Sequence, residues 1–531
     1  MRQRITRKAD VEKSTGNNQI ISGVLILTLS NLLVKVIGLM FKIPITNIIG
    51  DEGMGYFNAA YRIYTWFYMV STAGLPVALS IMISRSRTKG NINEVKKIFR
   101  ITMILFVIIG VMGTSVMVIG SRFFAVIIGS KAIYMCITAI APTLFFICIS
   151  SAVRGFFQGY QNMFPTAISQ VFEAVGKLAL GIILAFYAIN QGYDMPLIAA
   201  YAISGLTIGT AIGMIFLVIA KALNRDESIN TADNSTSSNG TLLRTLAKLA
   251  IPITISASVM SLTDLLDVMI IMRQLQSIGF SEETAVAIYG NYTSLAVPMF
   301  NLPPVLIYPI SYSIIPLISS AVAADNKNKA VSIIQSAFKI AVIISIPTAL
   351  GMSVLAKPIL SIFFKSASVD MAAPLLSILS LSVFFIGILA ISNAVLQAYG
   401  LERKPIISMM FGAAVKLISS TILIGIPSIG INGAPIGTFL CYMTISVINL
   451  YFITKHIQFD MNVFGKPITA SIICTAAAVL SYSAVNSVVF AISAAVIVYL
   501  IILIAINGIT EDDLSMIPLL NKFIRERRKI E

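Results

Sequence analysis

The chain has 531 residues, of which 57% are hydrophobic and only 11% charged. So little polar surface cannot cover a soluble globule of that size, which leaves lipid as the solvent. A formal net charge of +15 would suit nucleic acid only if the basic residues formed one solvated patch, and their scatter along the chain excludes that.

Residues 1–19 form a polar tail ahead of the first apolar stretch, 20–49, which has no small-residue cleavage site after a short apolar core and reads as a retained helix. Further apolar stretches follow at 57–84, 98–120, 132–156, 165–189 and 196–221, completing a first lobe at 20–221. Next comes the long polar run RDESINTADNSTSSNG, within a flexible linker at 222–241. A second lobe, 242–454, takes in stretches at 242–273, 288–321, 332–356, 371–398, 405–425 and 432–454. Two extra helices, 467–485 and 488–507, occupy 467–507. In the tail 511–531, Leu514, Ile517, Leu520, Phe523 and Ile524 alternate with Lys522, Arg525, Arg527 and Arg528, the pattern of a short helix lying on the inner membrane surface. Each apolar stretch suits a hydrocarbon core ~30 Å thick, and strand-like alternation is absent. The expected fold is an all-α integral membrane protein of about fourteen transmembrane helices.

Alternate connections are basic: Arg2 to Lys13, Arg85 to Arg100, Lys221 to Lys248, Lys327 and Lys329, Arg403 and Lys404, Lys455 and Lys466, and Lys522 to Lys529. Together they hold 26 of the 38 lysines and arginines. The opposite set has only Arg122, Lys131, Lys357 and Lys365, with the acidic Asp51-Glu52 and Glu282-Glu283. The positive-inside rule places both termini in the cytoplasm, with the membrane's own lipids reinforcing the arrangement. That requires an even number of spans.

The two lobes echo one another. Gln158, Tyr160, Lys177 and Leu178 recur as Gln397, Tyr399, Lys416 and Leu417, all displaced by 239 residues, and Phe99-Arg100-Ile101 maps onto Phe338-Lys339-Ile340 at the same offset. Pro76, Ser80 and Ile81 match Pro309, Ser313 and Ile314 at 233. Six helices per half is an even number, so the repeats run parallel, the plan of transporters whose substrate site lies between them near the midplane.

A charge at the bilayer centre costs at least ~2.5–3.5 kcal/mol, so such residues face a bundle interior or an aqueous cavity. Lys35 and Lys42, seven apart in the first helix, share a face. With Arg62 they have no carboxylate in the first two helices, and a cationic substrate cavity is the expectation. Glu173 precedes Lys177 by four residues, the order that lets the two neutralise one another within a helix. Arg154, closing the fourth helix, reads as a cytoplasmic-interface residue that snorkels, and Arg273 as a solvated anchor. Asp264 and Asp267, three apart, fit three roles: balancing the cationic cavity, holding a coupling cation, or lining a polar seam. Glu173, Lys177, Asp264, Asp267 and Lys416 thus complete the candidate set. Gly74-Leu75-Pro76 and the run Asn301 to Pro304, with Pro309 and Pro316, break helices for hinging or packing.

An excess of buried cations favours an anionic headgroup, above all a diphosphate, through charge-assisted hydrogen bonds; a carrier of hydrophobic cations would concentrate carboxylates instead. Cys136, Cys148, Cys441 and Cys474 lie in apolar segments at unrelated spacings and His456 is the lone histidine, so neither a disulfide framework nor a metal site is expected. A membrane glycosyltransferase or polymerase needs catalytic carboxylates or histidines on sizeable external loops, and the external connections here are short. No enzyme activity and no cofactor is expected.

The runs NLLVKVIG (Asn31 to Gly38), IGDEGMGYF (Ile49 to Phe57) and GLPVALS (Gly74 to Ser80) resemble the opening of the SpoVB/MurJ-like polysaccharide exporters of the multidrug/oligosaccharidyl-lipid/polysaccharide superfamily. The resemblance implies a two-lobed, V-shaped, MATE/MurJ-like transporter in the bacterial cytoplasmic membrane. Its implied activity is alternating-access flipping of an undecaprenyl-diphosphate-linked sugar, with lipid II first among the candidates and spore cortex as one context. It carries a headgroup-binding role to Lys35 and, more loosely, to Arg62; a further basic position of the family falls here on Phe41, with Lys42 adjacent. The rivals are a flippase for another lipid-linked anionic oligosaccharide and a drug/cation antiporter of the same fold.

Overall fold

The computed structural model describes residues 2–223, 237–455, 464–506 and 508. Most of the linker, His456 and the tail 511–531 therefore lie outside the described residues. Among those described, all regular structure is helical.

Among the described residues thirteen helices are long and apolar enough to cross a membrane, and the first of them, Leu32–Thr88, is 57 residues long. At ~1.5 Å per residue it is nearly three times as long as the hydrocarbon core is thick. It cannot be one span: α1 (Arg2–Thr72) is broken at Gly50 (φ 67°, ψ −174°), a conformation that favours glycine, and α2 (Leu75–Thr88) starts after a second break. Two crossings share this length, in line with the fourteen expected.

The chain continues through α3 (Ile92–Ile119), α4 (Ser121–Ile128), α5 (Tyr134–Ile140), α6 (Pro142–Gly159), α7 (Phe164–Asn190), α8 (Met195–Leu223) and α9 (Asn239–Ser277). The expected single span at 288–321 is not one helix. It is divided into α10 (Glu282–Asn291), a π-helical turn at Tyr292–Ala296, α11 (Val297–Phe300) and α12 (Pro304–Ala323). Pro298 has no N–H for the carbonyl of Ser294, and Pro303-Pro304 end the ladder again. Then follow α13 (Lys327–Val354), α14 (Ala356–Phe363), α15 (Ser366–Ser380), α16 (Ser382–Ala398), α17 (Arg403–Ile424), α18 (Gly433–Thr454), α19 (Gly465–Val485) and α20 (Val488–Ala505).

The internal echo extends to element bounds and turn chemistry. Helices α3 and α4 reappear as α13 and α14 with every boundary shifted by 235 residues. Asn91 caps α3 by accepting from the Glu94 N–H, and Asn326 caps α13 by accepting from Lys329. The residue before each cap, Gly90 or Asp325, has positive φ. Both α6 and α16 end on a tyrosine cap, Tyr160 or Tyr399, followed by a left-handed residue, Gln161 or Gly400. The same carbonyl-satisfying turn is thus built twice from partly different residues.

Packing divides the chain into two compact units, Met1–Met272 with Glu282–Gly290, and Arg273–Ser281 with Asn291–Glu531. Most of α9 belongs to the first, although the sequence groups it with the second lobe. The reason is apolar burial: Leu242, Leu246 and Ala250 of α9 share a core with Ala78, Leu79, Val153 and Leu217. Gly74 leaves room for the α9 backbone at Ala250. At the end of the linker, Ser237 accepts from Lys97 Nζ (2.7 Å) through its carbonyl and donates from Oγ to Glu94 (2.7 Å). In the second unit, α12, α13 and α16 enclose a core around Phe338, and α19 and α20 pack together with Leu355.

Candidate functional site

The Gly50 turn folds the two arms of α1 side by side. Lys42 on the first arm thereby reaches Asn58 on the second, donating from Nζ to Oδ1 at 2.7 Å. Lys35, seven residues before, is exposed on the same face. One turn beyond Asn58, Arg62 donates to Asp264 Oδ2 of α9 at 2.9 Å. Asp267 and Tyr289 also act on the Arg62 charge. Arg62 therefore has a carboxylate partner, though none in the first two helices: it lies 202 residues away in the chain. Of the three roles open to Asp264, balancing a cation is the one its geometry displays.

Helix α7 carries the second group. Its approach to α8 is set by Gly205, Gly209 and Gly213, spaced four apart on one stripe of α8, which face Gly181, Gly176 and the Ser169 carbonyl of α7. A Cβ on Gly209 would sit 2.7 Å from the Lys177 nitrogen and 2.8 Å from the Glu173 carbonyl. This stripe is written in the sequence as GLTIGTAIG, and it carries no charge to mark it as part of a site. Gly209→Val is expected to destabilise the protein by ~1–3 kcal/mol, the usual cost of overpacking, read as a lowered midpoint of thermal unfolding in detergent.

With α7 so placed, Glu173 Oε2 accepts from Arg154 Nη2 of α6 at 3.0 Å, and Arg154 Nε donates to Ser169 Oγ at 3.1 Å. Two expectations are corrected. Arg154 does not snorkel to the interface, because a carboxylate and a hydroxyl on the neighbouring helix satisfy its guanidinium in place. Glu173 takes Arg154 instead of Lys177, since a charge-assisted bond to a guanidinium fixed by a second acceptor outweighs an i,i+4 contact of ~0.2–0.5 kcal/mol.

Lys177 is left over the faces of Phe41 (4.9 Å to the ring centroid) and Tyr61 (5.4 Å). Cation–π contact attracts an ammonium without neutralising it. No carboxylate among the described residues forms an ion pair with Lys42 or Lys177, and the charges of Lys177 and Arg62 both act on Lys42. The positive excess therefore rests on Lys42, Lys177 and the exposed Lys35.

Inside the first unit a cavity of about 330 Å³ is lined by both α1 arms, α6, α7 and α8, with Arg154, Glu173, Lys177, Gln170, Tyr61, Tyr64 and Tyr68 among its walls. The tyrosines form a ladder along α1, with centroids 5.8 Å apart for Tyr61–Tyr64 and 6.0 Å for Tyr64–Tyr68. Lys35 and Lys42 are not part of this lining. Lys416, the repeat counterpart of Lys177, is half-buried in the second unit, and Arg273 is exposed. Among the described residues no three of His, Cys, Asp and Glu come together, and the four cysteines are buried and form no disulfide. The arrangement offers positive charge, hydrogen-bond donors and aromatic faces: equipment for holding an anionic, polar-headed molecule.

The chain is similar to known proteins over most of its length. Residues 20–322 match the family described as polysaccharide biosynthesis protein, and residues 252–422 match MatE. The chain is 24% identical over 515 residues to stage V sporulation protein B of Bacillus subtilis (strain 168), covering 95% of this chain and 98% of that protein. It is 24% identical over 470 residues to the lipid II flippase MurJ of the same organism, covering 85% of each. Among solved structures, a lipid II flippase MurJ in an inward closed conformation superposes with a TM-score of 0.69 at 16% identity, over 91% of this chain and 99% of that one.

Proposed function

This chain belongs to the polysaccharide biosynthesis protein family, and from that membership we propose that it is a flippase carrying an undecaprenyl-diphosphate-linked cell-wall precursor from the inner to the outer leaflet. It is a multi-pass membrane protein with the fold of the MATE and MurJ transporters. The proposed setting is the bacterial cytoplasmic membrane, with both termini inside, as the distribution of lysine and arginine requires. The repeated halves would alternate access to the two leaflets.

The observation that carries the reading is the Lys42 ammonium, which forms no ion pair with a carboxylate among the described residues. An ammonium held in an apolar span without a carboxylate is costly, and a ligand diphosphate supplies the missing negative charge through charge-assisted hydrogen bonds. Lys35, on the same face as Lys42, extends the patch. Arg62 joins it through an ion pair that a diphosphate would compete for. A drug or cation carrier would need the opposite sign. Lipid II is the proposed cargo, supported by the similarity to the flippase MurJ; the similarity to a sporulation protein supports a role in building the spore wall. A teichoic or capsular lipid-linked oligosaccharide is the alternative cargo.

The test is reconstitution of the purified chain in vesicles with fluorescent lipid II loaded on one leaflet. Translocation is expected, with competition by unlabelled undecaprenyl diphosphate and none by a cationic dye. Equal transport of a lipid lacking phosphate, or dye uptake without lipid movement, would overturn the reading.

A further inference from the structure

As proposed above, the diphosphate is held by Lys35 and Lys42, and neither of these lysines lines the cavity in the first unit. Its walls combine three types of group. Tyr61, Tyr64 and Tyr68 line it along one arm of α1, their ring centroids 5.8 and 6.0 Å apart. Glu173 and Gln170 offer acceptor oxygens, and Gln170 Oε1 is buried with no hydrogen-bond partner. Lys177 donates, its ammonium meeting ring faces among the described residues.

A buried amide oxygen left without a donor is costly and points to a bound group that supplies one. The tyrosine faces carry negative charge density and attract C–H groups bearing slight positive charge. A sugar ring satisfies both demands: it has an apolar C–H face, and around its edge hydroxyls that donate to carboxylate and amide oxygens and accept from an ammonium. The volume, about 330 Å³, lies at the lower end of the ~300–1,000 Å³ usual for ligand pockets and admits a substituted ring.

We propose that this cavity is a sugar subsite, in which one hexose-type ring stacks on the Tyr61–Tyr64–Tyr68 ladder, gives hydrogen bonds to Gln170 and Glu173 and receives one from Lys177. The inference rests on the flippase reading and deepens it. The Arg154–Glu173 ion pair fixes the carboxylate that meets the ring, and Phe41 and Tyr61 hold the ammonium within reach of a hydroxyl. The diphosphate is bound by lysine charge, while the carbohydrate attached to it is read by this aromatic wall.

The full chain in nanodiscs would be titrated with two radiolabelled lipids, undecaprenyl diphosphate and undecaprenyl-diphosphate-N-acetylglucosamine. The sugar-bearing lipid is expected to bind at least roughly tenfold more tightly. In Tyr64→Leu that ratio falls to about one, and in Gln170→Leu it falls part of the way. A loss of stability alone would lower both affinities and leave the ratio untouched, so the ratio separates recognition from misfolding. A ratio near one in the wild-type chain, or an undiminished ratio in the double variant Tyr64→Leu/Gln170→Leu, overturns the subsite while leaving the flippase reading standing. Failure of the bare diphosphate lipid to bind overturns the flippase reading, and the subsite with it.

Discussion

Lys42→Ala is expected to abolish rescue of a strain depleted of its lipid II flippase, and Lys35→Ala to weaken it, with both proteins still present in the membrane. Each lysine lost removes a charge-assisted bond to the diphosphate, worth ~1.5–3 kcal/mol, or roughly tenfold to 150-fold in affinity. Lys42 has the larger effect because Asn58 fixes its ammonium, so less side-chain entropy is lost on binding. Insertion cannot explain the loss: removing a charge from an apolar span favours insertion by up to ~2.5–3.5 kcal/mol. Lys42→Arg retains the charge and is expected to retain part of the activity. Membrane levels by immunoblot and translocation in vesicles check the result. Full rescue by Lys35→Ala/Lys42→Ala would remove the cationic patch from the mechanism.

The second large effect concerns the pair that joins α1 to α9. Arg62→Ala leaves Asp264 without its guanidinium. Breaking a fully buried pair costs ~3–5 kcal/mol, but the Asp264 side chain is 44% exposed, and solvent screening lowers the expected cost to about 1–2 kcal/mol. Arg62→Ala/Asp264→Ala removes the carboxylate as well and is expected to recover most of that stability in thermal unfolding without recovering transport. If transport returns with stability, Arg62 is a structural tie and leaves the headgroup site.

The sequence conveys the fold well because membrane helices announce themselves through run length, and the lysines and arginines mark alternate connections. The breaks within the expected span 288–321 were visible as Pro298, Pro303 and Pro304, but apolarity alone could not divide the stretch. At the candidate site, legibility followed sequence distance. Lys35 and Lys42 declare their common face because they share one helix. Asp264 was legible as a residue that could balance the cavity, but its pairing with Arg62 was not, since nothing local links residue 62 to a position 202 further on. Glu173 misled for the opposite reason: Lys177 is its nearest cation in sequence, whereas Arg154 arrives from α6 with its guanidinium already steadied by Ser169. The tyrosine ladder was overlooked because aromatic residues at helical spacing ordinarily mean core.

Where α7 meets α8, glycine faces glycine, and a joint made of bare backbone has no alternative rotamers to repack into. The two helices therefore travel as one stiff plate bearing Glu173 and Lys177, and whatever shape change accompanies transport must be absorbed outside that plate. Gly50 and the break before α2, where the helical ladder is already interrupted, are the natural elbows.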